Sequence, residues 1–284
     1  MLFRDRPVKN PTEWETARPT RRGEGKGAWV IQSIDRAAKI LALLQGSRRM
    51  GITELAAALD LPPSTVHGIV KSLQAHGLVA QQPSGNRYVL GPALLKLSSV
   101  YLDTLDVRAR SMRWMHELSS RTGLATRLGV ELFGEVIVIH HDRRPDGTEQ
   151  MPETGVTIPS HASAMGKVLL AYDAAHAADA LSRPLVALTA ETTTDPERVR
   201  DGFERVRRDA LGFENEEAVI GESSVAAPIC SDEGEVIAAI AVVMPASEWP
   251  PSEAVLNDLR EAARNVSREL GAPAWPPRPS ARMD

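Results

Sequence analysis

Apolar residues recur at helical spacing through the first third of the chain, and the period then switches to that of strands. Ile34, Ala37, Ala38, Leu41 and Leu44 mark one face of a helix for which Ser33 is the expected cap. Ile52, Leu55, Ala56 and Leu59 repeat the spacing in a second helix. Val66, Ile69, Val70 and Leu73 repeat it in a third. Pro62-Pro63 supplies the turn between the last two and a first helical residue whose missing N–H costs nothing. Ser64, His67, Gly68, Lys71 and Ser72 point away from the apolar face of the third helix. After the helix stop at His76-Gly77, Leu78–Ala80 and Tyr88–Leu90 flank Pro83-Ser84-Gly85-Asn86 as the arms of a hairpin. Two close helices joined at a proline turn and followed by a ribbon predict a winged helix-turn-helix over 29–91, shaped to lay one helix in a DNA major groove.

Gly91-Pro92 then opens an amphipathic segment, 92–106, that reads as a linker helix whose leucines serve packing. Asp106 is the expected cap of a further helix with Val107, Met112, Met115 and Leu118 inward. From Leu124 the apolar runs become short. Ala125–Leu132 and Gly134–His141 read as paired strands, with a loop from Arg143 to Gly147. Ser163 caps a helix through Tyr172, and Asp195-Pro196-Glu197 starts another that runs to Leu211. Strands are expected at Gly212–Glu217, Ser223–Ile229 and Val236–Val243, and a closing helix runs from Ser252 to Leu270. The fold class is therefore α+β, with a mostly antiparallel sheet and helices packed on it over 107–271. Residues 1–28, without an apolar period, read as a mobile arm, and 272–284 as a flexible tail. Arg18, Arg21, Arg22 and Lys26 give the arm an alternative role as a basic extension toward DNA.

Charge divides the chain more sharply than its net value of −4 suggests. Residues 29–101 hold 7 Lys and Arg against 3 Asp and Glu, whereas 102–271 hold 17 against 29. Nucleic-acid affinity comes largely from cations that displace counterions from phosphates, so the N-terminal part alone suits that partner. The chain length of 284 residues accommodates two domains. No apolar run approaches the ~20 residues needed to cross a bilayer, and the single cysteine, Cys230, fits a reducing cytoplasm.

Several stretches, in order and spacing, are similar to the IclR family of transcriptional regulators. They are Ile34–Leu44, ITELAAALDLPPSTVHGIVKSL, RYVLGPALLKL and IPSHASAMGKVLLAY. The likeness spans about residues 30 to 271, and within the family the run His140-His141 to Pro145-Asp146 is similar to regulators of glycerol operons. The resemblance implies a winged helix-turn-helix, a helical linker and a GAF-like α/β effector-binding domain. It also implies a palindromic double-stranded operator, bound by homodimers or dimers of dimers, and a small-molecule metabolite as signal. Such a metabolite would shift the linker at 92–106 and with it the spacing of two recognition helices.

Candidate DNA contacts are Ser64, Thr65 and His67 near the start of the third helix, Lys71 as a phosphate clamp, and Asn86 and Arg87 in the wing. Gly68 departs from the arginine that many relatives carry, so fewer direct base contacts are expected. The helix start at Ser160–Lys167 offers backbone N–H groups for an anionic effector. The resemblance puts the ligand at Ala164 and Met165, with Ile158, Glu214, Ser224, Ala241 and Val243 around it. Ala241 and Val243 stand where certain relatives have serines, which makes the site less polar. Adjacent strand residues face opposite ways, so His140 and His141 do not share a metal ion, and no metal or cofactor is expected. Arg143 and Arg144 read as a solvated turn, with a phosphate clamp as the alternative. Two other functions compete: a histidine-dependent hydrolase, which lacks a G-x-S-x-G or H-E-x-x-H motif, and a ligand-sensing protein that no longer binds DNA.

Overall fold

The computed structural model describes residues 31–277, which form two compact units that divide between Tyr101 and Leu102. The arm at 1–28, with its four cations, lies outside the described residues, as does the tail beyond 277.

The first unit contains α1 (Gln32–Ser47), β1 (Met50–Gly51), α2 (Ile52–Leu59), α3 (Pro63–Ala75), β2 (Val79–Gln81) and β3 (Arg87–Leu90). Ile40, Leu43 and Leu44 of α1, Leu55 and Ala56 of α2 and Val66, Val70 and Leu73 of α3 close one core with Val79 and Tyr88 of the ribbon. Pro63 sits in the first turn of α3, and Gly77, at φ 69, takes the left-handed turn that releases the chain into β2. The wing has a third strand, since β1 pairs with β3 through Met50–Tyr88 and Gly51–Arg87. Two expectations for α1 fail. Ser33 lies inside the first turn after Ile31 and makes no capping bond, and Ile34 is 63% exposed, with Ala38 exposed too. Two overlapping stripes share Ala37, Leu41 and Leu44, and the one carrying Ile40 buries more apolar surface than the one carrying Ala38.

From Ala93 to Asp103 runs α4, in which no residue is buried. The second unit continues with α5 (Asp106–Thr122), β4 (Ala125–Leu132), β5 (Glu135–Asp142), β6 (Thr157–Pro159), α6 (Ala164–Tyr172), α7 (Ala174–Leu181), α8 (Pro196–Asp209), β7 (Gly212–Asn215), β8 (Glu222–Cys230), β9 (Val236–Pro245) and α9 (Glu253–Glu269). Its sheet has the order β6-β5-β4-β9-β8-β7, antiparallel at every pairing. On one face Met115 and Leu118 of α5 and Leu256, Leu259, Ala263 and Val266 of α9 pack against Leu128, Val225, Ala227 and Ile240. On the other, α6, α7 and α8 cover Val136, Val138, Ala226, Ala239 and Ala241. Covered on both sides, β8 and β9 read as continuous apolar runs and not as alternation.

Asp106 is the first residue of α5, not its cap, because Leu105 precedes it with no side-chain bond. Met112 is exposed, and Ser111 takes the inward place in the 107, 111, 115, 118 stripe, its hydroxyl donating to Val107 O at 2.6 Å. The helix α7 and the strand β6 had no counterpart in the sequence pattern. Part of the expected tail is held down: Trp275 Nε1 donates to Pro228 O at 2.9 Å, and its ring lies under the Arg264 guanidinium. No helix among the described residues is long and apolar enough to cross a membrane.

Candidate DNA-reading face and effector site

On α3, Ser64, His67, Gly68 and Lys71 follow i, i+3, i+4, i+7 and are all exposed, opposite buried Val66, Val70 and Leu73. Thr65 is a quarter turn away and half-buried, so it stands at the margin of that face. In the wing Asn86 and Arg87 are exposed. Arg87 is already engaged, for its Nη2 donates to Glu54 Oε1 at 2.8 Å while Glu54 Oε2 accepts the Gly51 N–H at 2.7 Å. One carboxylate thus ties the start of α2 to the wing, and a phosphate would compete with it for Arg87.

Glu214, Ser224, Ala241 and Val243 of the candidate effector residues come together on the α6 side of the second sheet, and Ile158 stands apart from them. Register pairs Glu214 with Ser224 and Ser224 with Val243, and Ala125 is the next partner across β4. All lie two residues along from Ala226 and Ala241, which pack under α6, so they face the same way. Ser224 Oγ donates to Glu214 Oε1 at 3.0 Å, and the Glu217 N–H donates to Glu214 Oε2 at 3.0 Å. Burial pushes the Glu214 carboxyl up to about 7, against the pull of those two hydrogen bonds. Ala241 and Val243 are buried, giving this wall an aliphatic floor. Ile158, half-buried on β6, pairs with Val136 at the opposite edge.

Ser160–Ala162 form a single tight turn before Ser163, whose hydroxyl accepts the Gly166 N–H at 2.9 Å. Only a glycine fits at 166, because a Cβ there would lie 2.2 Å from Ser160 O. Ala164 and Met165 are buried, with Met165 resting on the sheet at Gly129. The cap consumes one of the N–H groups an anion would use. Lys167 on the same helix donates to Phe213 O at 3.1 Å and pairs with Glu217.

Three residues that the sequence reading passed over, Arg127, Glu153 and Glu222, form a charged cluster beside these candidates. Arg127 on β4 is 7% exposed and faces the same side, between Ala241 on β9 and His141 on β5. Its Nη1 and Nη2 donate to Glu222 at 2.8 and 3.0 Å, and Nη2 donates to Glu153 Oε1 at 2.8 Å, with Nε also bonded to Glu153. Burial alone would weaken its charge. The Glu153 hydrogen bonds and the Glu222 charge more than reverse that and hold it ionised. A charged residue inside the apolar run Leu124–Val130 was the available signal; Glu153, in a loop, offered none. His141 is held below its ordinary value by burial, and its Nε2 is buried with no partner.

His140 and His161 are held within the fold. His140 lies 3.3 Å from Asp142, and His161 Nε2 donates to Val186 O at 3.0 Å. No group of three metal-type ligands occurs among the described residues. Arg144 is not a solvated turn residue: it pairs with Glu248 at 3.1 Å and Asp146 at 3.2 Å.

A winged head with an exposed polar and cationic helix face, joined in one chain to a sheet unit with a small polar site under its helices, defines a DNA-binding transcriptional regulator with an effector-binding domain. Residues 33–83 match the IclR helix-turn-helix domain, and residues 99–268 match the domain described as bacterial transcriptional regulator IclR C-terminal. The chain is 37% identical to the glycerol operon regulatory protein of Streptomyces griseus over 247 residues, covering 85% of this chain and 97% of that one. It is 30% identical to the HTH-type transcriptional regulator XynR of Escherichia coli strain K12, covering 86% and 99%. Among solved structures, the IclR transcriptional regulator from Alicyclobacillus acidocaldarius superposes with a TM-score of 0.75 at 27% identity, covering 86% of this chain and all of that one. The chain belongs to the IclR family of transcriptional regulators.

Proposed function

We propose that the protein represses genes of glycerol or related carbon catabolism by binding a palindromic operator as a homodimer or dimer of dimers, until a small metabolite releases it. The observation that carries this reading is the α3 face of Ser64, His67, Gly68 and Lys71, exposed along its length and opposite a closed core. Lys71 contacts phosphate, and Ser64 and His67 approach base edges or phosphates. Gly68 offers no side chain, so the backbone comes closer to the groove there. Self-association is supported by Leu95, Leu97, Val100 and Tyr101 of α4, all more than half exposed in the single chain. The glycerol assignment follows the identity to the Streptomyces griseus regulator along most of both chains.

The effector settles on the sheet face formed by Glu214, Ser224, Ala241 and Val243 under Ala164 and Met165, with Ile158 at the rim. It acts through a difference in affinity between the DNA-bound and released states. The chain is read as a cytoplasmic regulator without catalysis. Burial raises its one thiol, Cys230, to about 11, well away from a reactive thiolate. Anisotropy titration of labelled DNA from upstream of its own gene tests the operator reading. Salt-sensitive binding that is lost on combining His67→Ala with Lys71→Ala is expected; unchanged binding by that variant refutes the assignment of α3.

A further inference from the structure

The charges on the sheet face under α6 are already matched, and they leave acceptors in excess. Arg127 is shared by two carboxylates, Glu153 and Glu222, and Lys167 is paired with Glu217. Glu214 has no cation of its own and takes only the Ser224 hydroxyl and the Glu217 N–H. These groups comprise two cations against four carboxyls. They share the sheet face with His141, whose Nε2 is buried without a partner, and with the aliphatic residues Ala125, Ala241 and Val243.

The charged group of an anion brings only acceptors to such a face and meets net repulsion, since neither cation is unpaired. An uncharged chain of hydroxyl groups brings donors and acceptors together, so vicinal hydroxyls can donate to one carboxylate while their carbons lie on the aliphatic wall. Resting on the assignment of this face as the effector site, we propose that the effector is an uncharged aliphatic polyol and that Arg127, clamped by Glu153 and Glu222, excludes the anionic forms of the same carbon skeleton. Glu153 is the selective element. It comes from the loop ahead of β6, and its loss leaves Arg127 held by Glu222 alone, with charge to offer an anion.

Isothermal titration of the full-length protein with glycerol, erythritol and xylitol, each against its anionic partner (glycerate or glycerol 3-phosphate, erythronate, xylonate), tests the assignment. At least one polyol is expected to bind tenfold or more tightly than its partner. Ser224→Val is expected to weaken that binding tenfold, and Glu153→Gln, which retains the Glu222 pair and the fold, to shift the preference at least fivefold toward the anion. Tighter binding of an anion to the wild type, still weakened by Ser224→Val, overturns the polyol class and leaves the site assignment standing. Polyol binding that is indifferent to Ser224→Val overturns the site and the class together, as does binding of neither set.

Discussion

Replacing Glu214 with glutamine tests the electrostatics of this sheet face in a single measurement. The carboxyl is buried where β7 meets β8, and desolvation moves it from an ordinary 4.5 to about 7. The Ser224 hydroxyl, the Glu217 N–H and Lys167 pull it down, and Glu222 adds to the rise. The native protein therefore keeps a proton that the unfolded chain releases near pH 4.5. Between the two values the unfolded state binds fewer protons, so stability is fully present below pH 4.5 and is lost as the pH climbs through 7. At ~1.4 kcal/mol per pH unit, the loss amounts to about 3 kcal/mol by pH 8. The Glu214→Gln protein has no proton to lose and keeps a carbonyl acceptor for Ser224. Urea unfolding followed by tryptophan emission suits the purpose, because Trp114, Trp249 and Trp275 all pack in the core of the second unit. The two proteins should differ little at pH 4.5, with the variant more stable by about 3 kcal/mol at pH 8. Parallel pH profiles would show that Glu214 ionises as freely in the fold as out of it, and the account of the site would be wrong.

Three other expectations follow from residues already placed. Removing the Lys71 charge with Lys71→Ala should weaken binding to all DNA sequences alike and reduce the slope of log affinity against log salt by about 1, measured by anisotropy from 50 to 300 mM salt; a change confined to one operator position would make Lys71 a base reader. Gly68→Ala should stabilise α3 by up to about 1 kcal/mol in thermal unfolding, because a Cβ there meets nothing within 4 Å; a loss of stability would mean that the helix is strained at that point. Arg127→Ala leaves Glu153 and Glu222 facing each other without their cation, so a destabilisation of about 3–5 kcal/mol is expected in urea, and a loss under 1 kcal/mol would show the triad to be solvated.

The periodic elements were legible because their pattern and their caps agree. On α3 the apolar stripe, Pro63 and the glycine stop pointed to one helix. Ser163, Asp195 and Ser252 each accept a backbone N–H, as their positions ahead of apolar periods predict. Ser33 and Asp106 carried the same signal and do not cap, since a capping residue must have extended backbone just ahead of the helix, and the helices begin earlier, with Ile31 and Leu105 at the cap positions. The strands β1 and β6 are two and three residues long and exist only through their partners, β3 and β5, so no local pattern marks them. Of the candidate effector residues, Glu214 and Ser224 came from family likeness and prove to be hydrogen-bonded to each other. Arg127 and Glu153 meet across 26 positions by tertiary folding alone.

The same bookkeeping of cations explains why only one end of the chain suits DNA. In the second unit several arginines are taken up by carboxylates: Arg113 with Glu117, Arg121 with Asp258 and Glu261, Arg183 with Asp179, Arg200 with Glu197 and Arg208 with Asp209, besides Arg127 and Arg144. Such a cation has exchanged its counterion for a fixed one, so a phosphate that approaches it releases no mobile ion and meets the surplus of acidic residues instead. Lys71, exposed on α3 above an apolar core, still has its counterion to release. Arg87 lies between these cases, because a phosphate in the wing must first displace Glu54, a contact that also holds the start of α2. Operator binding through Arg87 would therefore loosen α2 from the wing, whereas binding through Lys71 leaves the head as it is.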